Sequence, residues 1–250
     1  MAKMTRREVS ETVRTYRENR GDDTMTAAGF MLLLTFLIAG GLAVAALVAT
    51  QTYHMKFELW WVVPYIGCGF IGCVLGVSRN VPLQLIGYAL IILPTGWIMG
   101  PLAKLYQFDS VIMAVWITVA VTVFLGIVGA MWHSSVAHWG GYLLTALLVL
   151  IIVELASIVM IIITGQKSHL RQLLAVTDWV AIAIFCGFVF YDMNQAVRMP
   201  SNASNAIYSA IAMYLNIINL WARILARTGK LAIENAPDAA AAVAGAAFEG

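Results

Sequence analysis

Charge is scarce in this chain. Only 11% of its 250 residues are Asp, Glu, Lys or Arg, and 61% are apolar. An ordinary soluble domain carries roughly 25% charged residues, so too little polar surface exists here to meet water on every side. Cysteine is scarce as well. Cys68, Cys73 and Cys186 all fall inside apolar runs, which argues against a disulfide framework or zinc knuckle and leaves them as small buried hydrophobes. The chain has no Gly-x-Ser-x-Gly element and no phosphate loop. His54, His133, His138 and His169 fall in predicted connections, whereas an intramembrane zinc hydrolase needs His and Asp converging from several helices. An enzyme is therefore not expected, nor a cofactor or metal. The last apolar run has no central lysine, which excludes a retinal protein. No inverted repeat supports a secondary transporter.

What the chain has instead is long apolar blocks, about 27–50, 58–78, 82–105, 110–131, 137–164, 175–197 and 206–226. A helix crossing ~30 Å of hydrocarbon needs ~20 apolar residues. The expected fold class is therefore an all-α integral membrane protein of about seven transmembrane helices, with short connections and antiparallel neighbours. The organisation reads as a charged tail (1–26), a membrane domain (27–230) and an Ala-rich tail (231–250). In the third block Pro94, Gly96, Gly100 and Pro101 predict a kinked or broken helix. Gly72 and Gly76 form a small-xxx-small pair suited to close helix packing. Trp60, Trp61, Trp132 and Trp139 stand at block ends, as an aromatic belt does.

The N-terminal tail carries Lys3, Arg6, Arg7, Arg14, Arg17 and Arg20, interleaved with Glu8, Glu11, Glu18, Asp22 and Asp23. A nucleic-acid arm is more one-sided, so no nucleic-acid partner is expected. Val9, Val13 and Tyr16 recur at helical spacing, and the segment reads either as an interfacial helix or as a loosely ordered tail. Its length and charge do not fit a cleaved signal peptide. Lys/Arg bias places the N-terminus in the cytoplasm. Seven spans then put the C-terminus outside, and Arg223, Arg227 and Lys230 conflict with that.

An ionisable residue in a membrane helix costs roughly 2.5–3.5 kcal/mol on insertion scales, so each needs a reason. The candidates are Glu154, Asp178 and Asp192, with Asn194, Asn216 and Asn219 as polar companions. Asn216 and Asn219 are three apart and expected to share a face, which Asp192 can meet if the last two helices pack together. Arg79 follows the second block, on the same membrane side as the 198–205 loop, and is a candidate counter-ion for Asp192. Two readings of Asp192 stand open: a titratable gate or cation site, or a satisfied polar cluster that fixes helix packing. Asp178 follows Thr177 near a helix start, where the dipole favours a negative charge without any function. Glu154, Asp178, Asn194 and Asn219 are the candidates for an ion path.

The run Tyr191-Asp192-Met193-Asn194-Gln195 resembles the sixth-helix signature of the Bax inhibitor-1, or transmembrane Bax-inhibitor-motif, family. Ala212-Met213-Tyr214-Leu215-Asn216-Ile217-Ile218-Asn219-Leu220 with Arg223 resembles its last-helix motif. Gly100-Pro101-Leu102 and Val123-Phe124-Leu125-Gly126 are similar to two further elements, all in the family's order. The resemblance implies seven helices with the last one central, and a pH-sensitive Ca²⁺ leak. It also implies a sensor of two aspartates on the last two helices, modulated by an arginine after the second. Asp192 matches the first aspartate and Arg79 the arginine. Asn216 stands where the second aspartate belongs, which removes the like-charge repulsion on which a shared-proton sensor depends. The functional expectation is a cation leak channel with altered pH sensing, Asp192, Asn216 and Arg79 forming the gate and Ca²⁺ or another cation the permeant ion. The alternative is a regulator without transport activity that binds a membrane protease of FtsH type, or a stress or cell-death partner, through its N-terminal tail. The tail lacks eukaryotic retention or lipidation signals, which points to a bacterial inner membrane.

Overall fold

The computed structural model describes residues 25–164 and 167–230. The segments 1–24 and 231–250, with the Val9, Val13 and Tyr16 pattern, lie outside the described residues. Seven helices are described: α1 (Ala27–Thr52), α2 (Val62–Gly76), α3 (Val81–Ala103), α4 (Phe108–Met131), α5 (Trp139–Thr164), α6 (Lys167–Ala196) and α7 (Ala203–Thr228). A single 3-10 turn, Leu59–Trp61, leads into α2. The described residues contain no strand, as expected.

Six helices are long and apolar enough to cross a membrane. α2 is shorter than its apolar block implies. Its 15 residues make about 22 Å at 1.5 Å per residue, short of ~30 Å of hydrocarbon. His169 falls inside α6 rather than in a connection, because that helix begins at Lys167, before the apolar block.

Backbone bonds fix the order of ends. Met25 N–H donates to Ser201 O at 2.8 Å, which puts the starts of α1 and α7 together. Gln84 Nε2 donates to Gly76 O at 3.1 Å and Ser204 O at 3.2 Å, adding the α2–α3 turn to that face. Arg198 donates to Trp132 O and His133 O and brings in the α4–α5 loop. At the opposite face, Gln107 N–H donates to Lys230 O and Lys230 N–H donates to Ser110 Oγ. The helices therefore run up and down through one bundle.

α7 is its centre. It packs against α1, α2, α3, α4 and α6, and Tyr214, Leu220, Ala206 and Ala210 are wholly buried. By contrast Phe36 on α1 is 73% exposed and Tyr142 on α5 is 75% exposed. Such outward apolar side chains suit hydrocarbon, where every backbone group must be bonded within the fold. Trp60, Trp132 and Trp139 stand half to mostly exposed at helix ends, as the belt requires.

α3 is continuous from Val81 to Ala103, with Pro94 and Pro101 inside, so of the kink or break expected there the break is absent. Its glycines are contact points rather than breaks. A Cβ on Gly87 would lie 2.6 Å from Gly72 O, and one on Gly72 would lie 2.6 Å from Gly87 O. Gly96 and Gly100 press against Ala45, Val48, Ala49 and Thr52 of α1. Tyr88 completes the seam: its hydroxyl donates to Leu37 O at 2.9 Å, and its ring meets Tyr214 edge-on at 5.7 Å.

Candidate functional site: a polar seam on the last helix

Ser209, Asn216 and Arg223 recur every seven residues along α7, so they share one face. Each finds a partner on α6 or just past its end. Ser209 Oγ is 3.8 Å from Met199 Sδ, just beyond the end of that helix. Asn216 Nδ2 donates to Asp192 Oδ2 at 2.5 Å. Arg223 Nη1 donates to Asp178 Oδ1 at 2.9 Å. The expected meeting of Asp192 with α7 is therefore present, through Asn216.

Asn219 does not join it. It is exposed, and its amide donates to Leu215 O of its own helix at 2.8 Å. Three residues rotate the helix by about 300°, which leaves Asn219 about 60° from Asn216 and beyond the edge of the buried face. Asn194 is fully buried and holds backbone instead of lining an ion path. It accepts from Val136 N–H at 3.1 Å and donates to Gly129 O at 3.1 Å, with Trp132 O and Ser134 O each at 3.3 Å. Those bonds satisfy carbonyls that the end of α4 leaves without helical partners. Arg79 stands exposed in the α2–α3 turn, on the same face as the α6–α7 turn.

Glu154 and Asp178 meet each other through Arg223, a residue whose role the sequence reading missed. Arg223 grips Glu154 with both terminal nitrogens: Nη2 donates to Oε2 at 2.8 Å, and Nη1 lies 2.7 Å from Oε1. Arg227 Nη1 lies 3.9 Å from Asp178 Oδ2. Two carboxylates and two guanidiniums thus balance in charge, which lowers the cost of burying any one of them. Asp178 does not stand near a helix start, since α6 begins at Lys167, and its charged partner rather than the helix dipole accounts for it. Arg223 and Arg227 likewise have local partners, so they are weak indicators of membrane side. The signal that could have found this network was in the sequence: an intramembrane cation needs a counter-charge, and Glu154 and Asp178 were the acids on offer.

Among the described residues no group of three or more His, Cys, Asp or Glu could hold a metal ion. What remains is a set of ionisable side chains on α5, α6 and α7, paired within a helical bundle whose outer surface is apolar.

A bundle with six long apolar helices, one of them buried at its centre, and a paired set of ionisable side chains along an internal seam is a multi-pass membrane protein. The family model described as "Inhibitor of apoptosis-promoting Bax1" matches residues 27–231, and the chain belongs to that Bax inhibitor-1 family. An uncharacterized membrane protein of Vibrio cholerae serotype O1 is 35% identical over 80 residues, 32% of this chain. That match spans 33% of the relative's length.

Proposed function

We propose that this chain is a cation leak protein of the Bax inhibitor-1 type, with Ca²⁺ the permeant ion tested first, and with pH sensing altered at the α6–α7 contact. One observation carries the reading: Asp192, an ionisable residue inside an apolar helix, bonds Asn216 of the central helix at 2.5 Å. A carboxylate at this depth is costly unless partnered or used, and here an amide partners it. An amide holds a carboxylate without repelling it, so the contact lacks the like-charge repulsion that makes two close carboxylates titrate as a pair. Neither of the other two intramembrane acids supplies that repulsion through the contacts described, since Glu154 and Asp178 engage Arg223.

The test is Ca²⁺ flux into liposomes holding the purified protein, from pH 6 to pH 8. Wild type is expected to leak, Asp192→Asn to change the leak, and Asn216→Asp to make it more steeply pH-dependent than wild type. A wild type that conducts nothing sinks the reading. Unchanged flux in Asp192→Asn sinks this assignment of the site.

The Asn216 amide also supports a second reading, a regulator that binds a membrane protease or stress partner and transports nothing. Pull-downs with and without residues 1–24 test it. A tail that captures no partner and whose loss changes nothing counts against it.

A further inference from the structure

Among the described residues, α5 is the least anchored helix of the bundle. Its backbone packs chiefly along α6, and Leu150 and Ser157 are its buried residues among those described. Its large side chains Tyr142, Ile152 and Leu155 point outward. Leu143 closes on Gly187 and Tyr191 on Gly140, both contacts again between α5 and α6. Across to the central helix, α5 is tied by the grip of Arg223 on Glu154. That same guanidinium holds Asp178 of α6. One side chain therefore joins three helices at the end of the seam away from the Asp192–Asn216 contact. Arg223 is seven residues beyond Asn216, about 10 Å farther along α7.

We propose that Arg223 is a lock on α5: its ion pair with Glu154 holds α5 closed against α6 and α7, and its release lets α5 swing away from the seam. The geometry makes the lock directional. Glu154 is the α5 half of the grip, and Asp178 is only a second anchor for Arg223 on α6. Removing Arg223 or Glu154 frees α5. Removing Asp178 leaves the α5–α7 bond in place. The three residues are 15–27% exposed at the side chain, so the pair is only partly screened and a guanidinium fork on a carboxylate is among the stronger side-chain bonds available. In the leak reading of the preceding section, on which only this clause rests, release would also uncover two carboxylates along the path and raise cation flux.

The test reads α5 directly. Ser157 is 3% exposed and lies three residues from Glu154, so Ser157→Cys reports on α5 with little change in volume. It is placed in a background with Cys68, Cys73 and Cys186 changed to alanine, reconstituted in nanodiscs. The rate of modification by a small methanethiosulfonate reagent is then compared among variants. Arg223→Gln and Glu154→Gln are each expected to speed labelling roughly tenfold, the lower end for one charge-assisted hydrogen bond. Asp178→Asn is expected to stay within about twofold of wild type, since the Arg223–Glu154 bond between α7 and α5 does not pass through Asp178. Arg223→Lys, which keeps the charge, is expected to fall between wild type and Arg223→Gln. The lock is overturned if Arg223→Gln or Glu154→Gln leaves labelling at the wild-type rate. It is equally overturned if all three neutralised variants speed labelling alike, for that marks general loosening. Ca²⁺ flux in the same variants is scored separately. Fast labelling without flux keeps the lock and removes the leak reading; flux without fast labelling keeps the leak reading and removes the lock.

Discussion

Asp192 and Asn216 show how much one atom type decides. The sequence supplied both residues and the expectation that they meet, and the 2.5 Å bond bears it out. Asn216→Ala removes the donor from a part-buried carboxylate, which costs about 1–3 kcal/mol when a polar group is left unpaired. The expected outcome is a lower Tm in detergent micelles. Replacing both partners together, Asp192→Leu with Asn216→Leu, is expected to recover most of that loss, because no orphan charge remains. Asn194 makes a sharper case. It was legible as an intramembrane polar residue, but its use as the bracket of the α4–α5 loop was not, since its partners are backbone atoms 58 to 65 residues away. Asn194→Ala is expected to raise hydrogen exchange across residues 132–138 without abolishing insertion.

Among the elements, the glycines separate what sequence pattern shows from what packing decides. Gly67 and Gly72 sit on the same short helix, yet a Cβ on Gly67 meets nothing within 4 Å, while one on Gly72 meets a carbonyl of α3 at 2.6 Å. Gly72→Val is therefore expected to destabilise by about 1–3 kcal/mol through overpacking. Gly67→Val is expected to change stability by less than about 0.5 kcal/mol, as a surface change does. Thermal melts of the two variants decide it, and equal losses would mean that α2 and α3 are not packed as described. α3 carries the same lesson. Pro94, Gly96, Gly100 and Pro101 read as a kink or break from local rules, but α1 lies against Gly96 and Gly100 and the helix runs through without a break. Neighbouring helices commonly make such residues tolerable in membranes.

For the whole molecule, the helices alternate in direction, which places the two ends of the described helical domain on opposite faces of the bundle. Ser201→Cys and Arg79→Cys are expected to label with a membrane-impermeant thiol reagent from one side, and Lys230→Cys from the other, in a background without native cysteines. If Arg79→Cys labels with Lys230→Cys instead, α2 does not cross, a sharp question for a helix of 15 residues. The sequence by itself determined the class of fold, because lipid demands long apolar runs and this chain has them in countable blocks. It also determined the family, because motifs on several helices occur in order. It determined which residues are costly in a membrane, because desolvation of charge depends on residue type alone. Only the tertiary structure decided which of those residues meet. Arg223 joins Glu154 and Asp178 although it is 69 and 45 residues from them, and Asn219 points away although it is three residues from Asn216. Pairing depends on helix rotation and neighbour choice, and those are set by small residues pressed together across the bundle rather than by any local pattern.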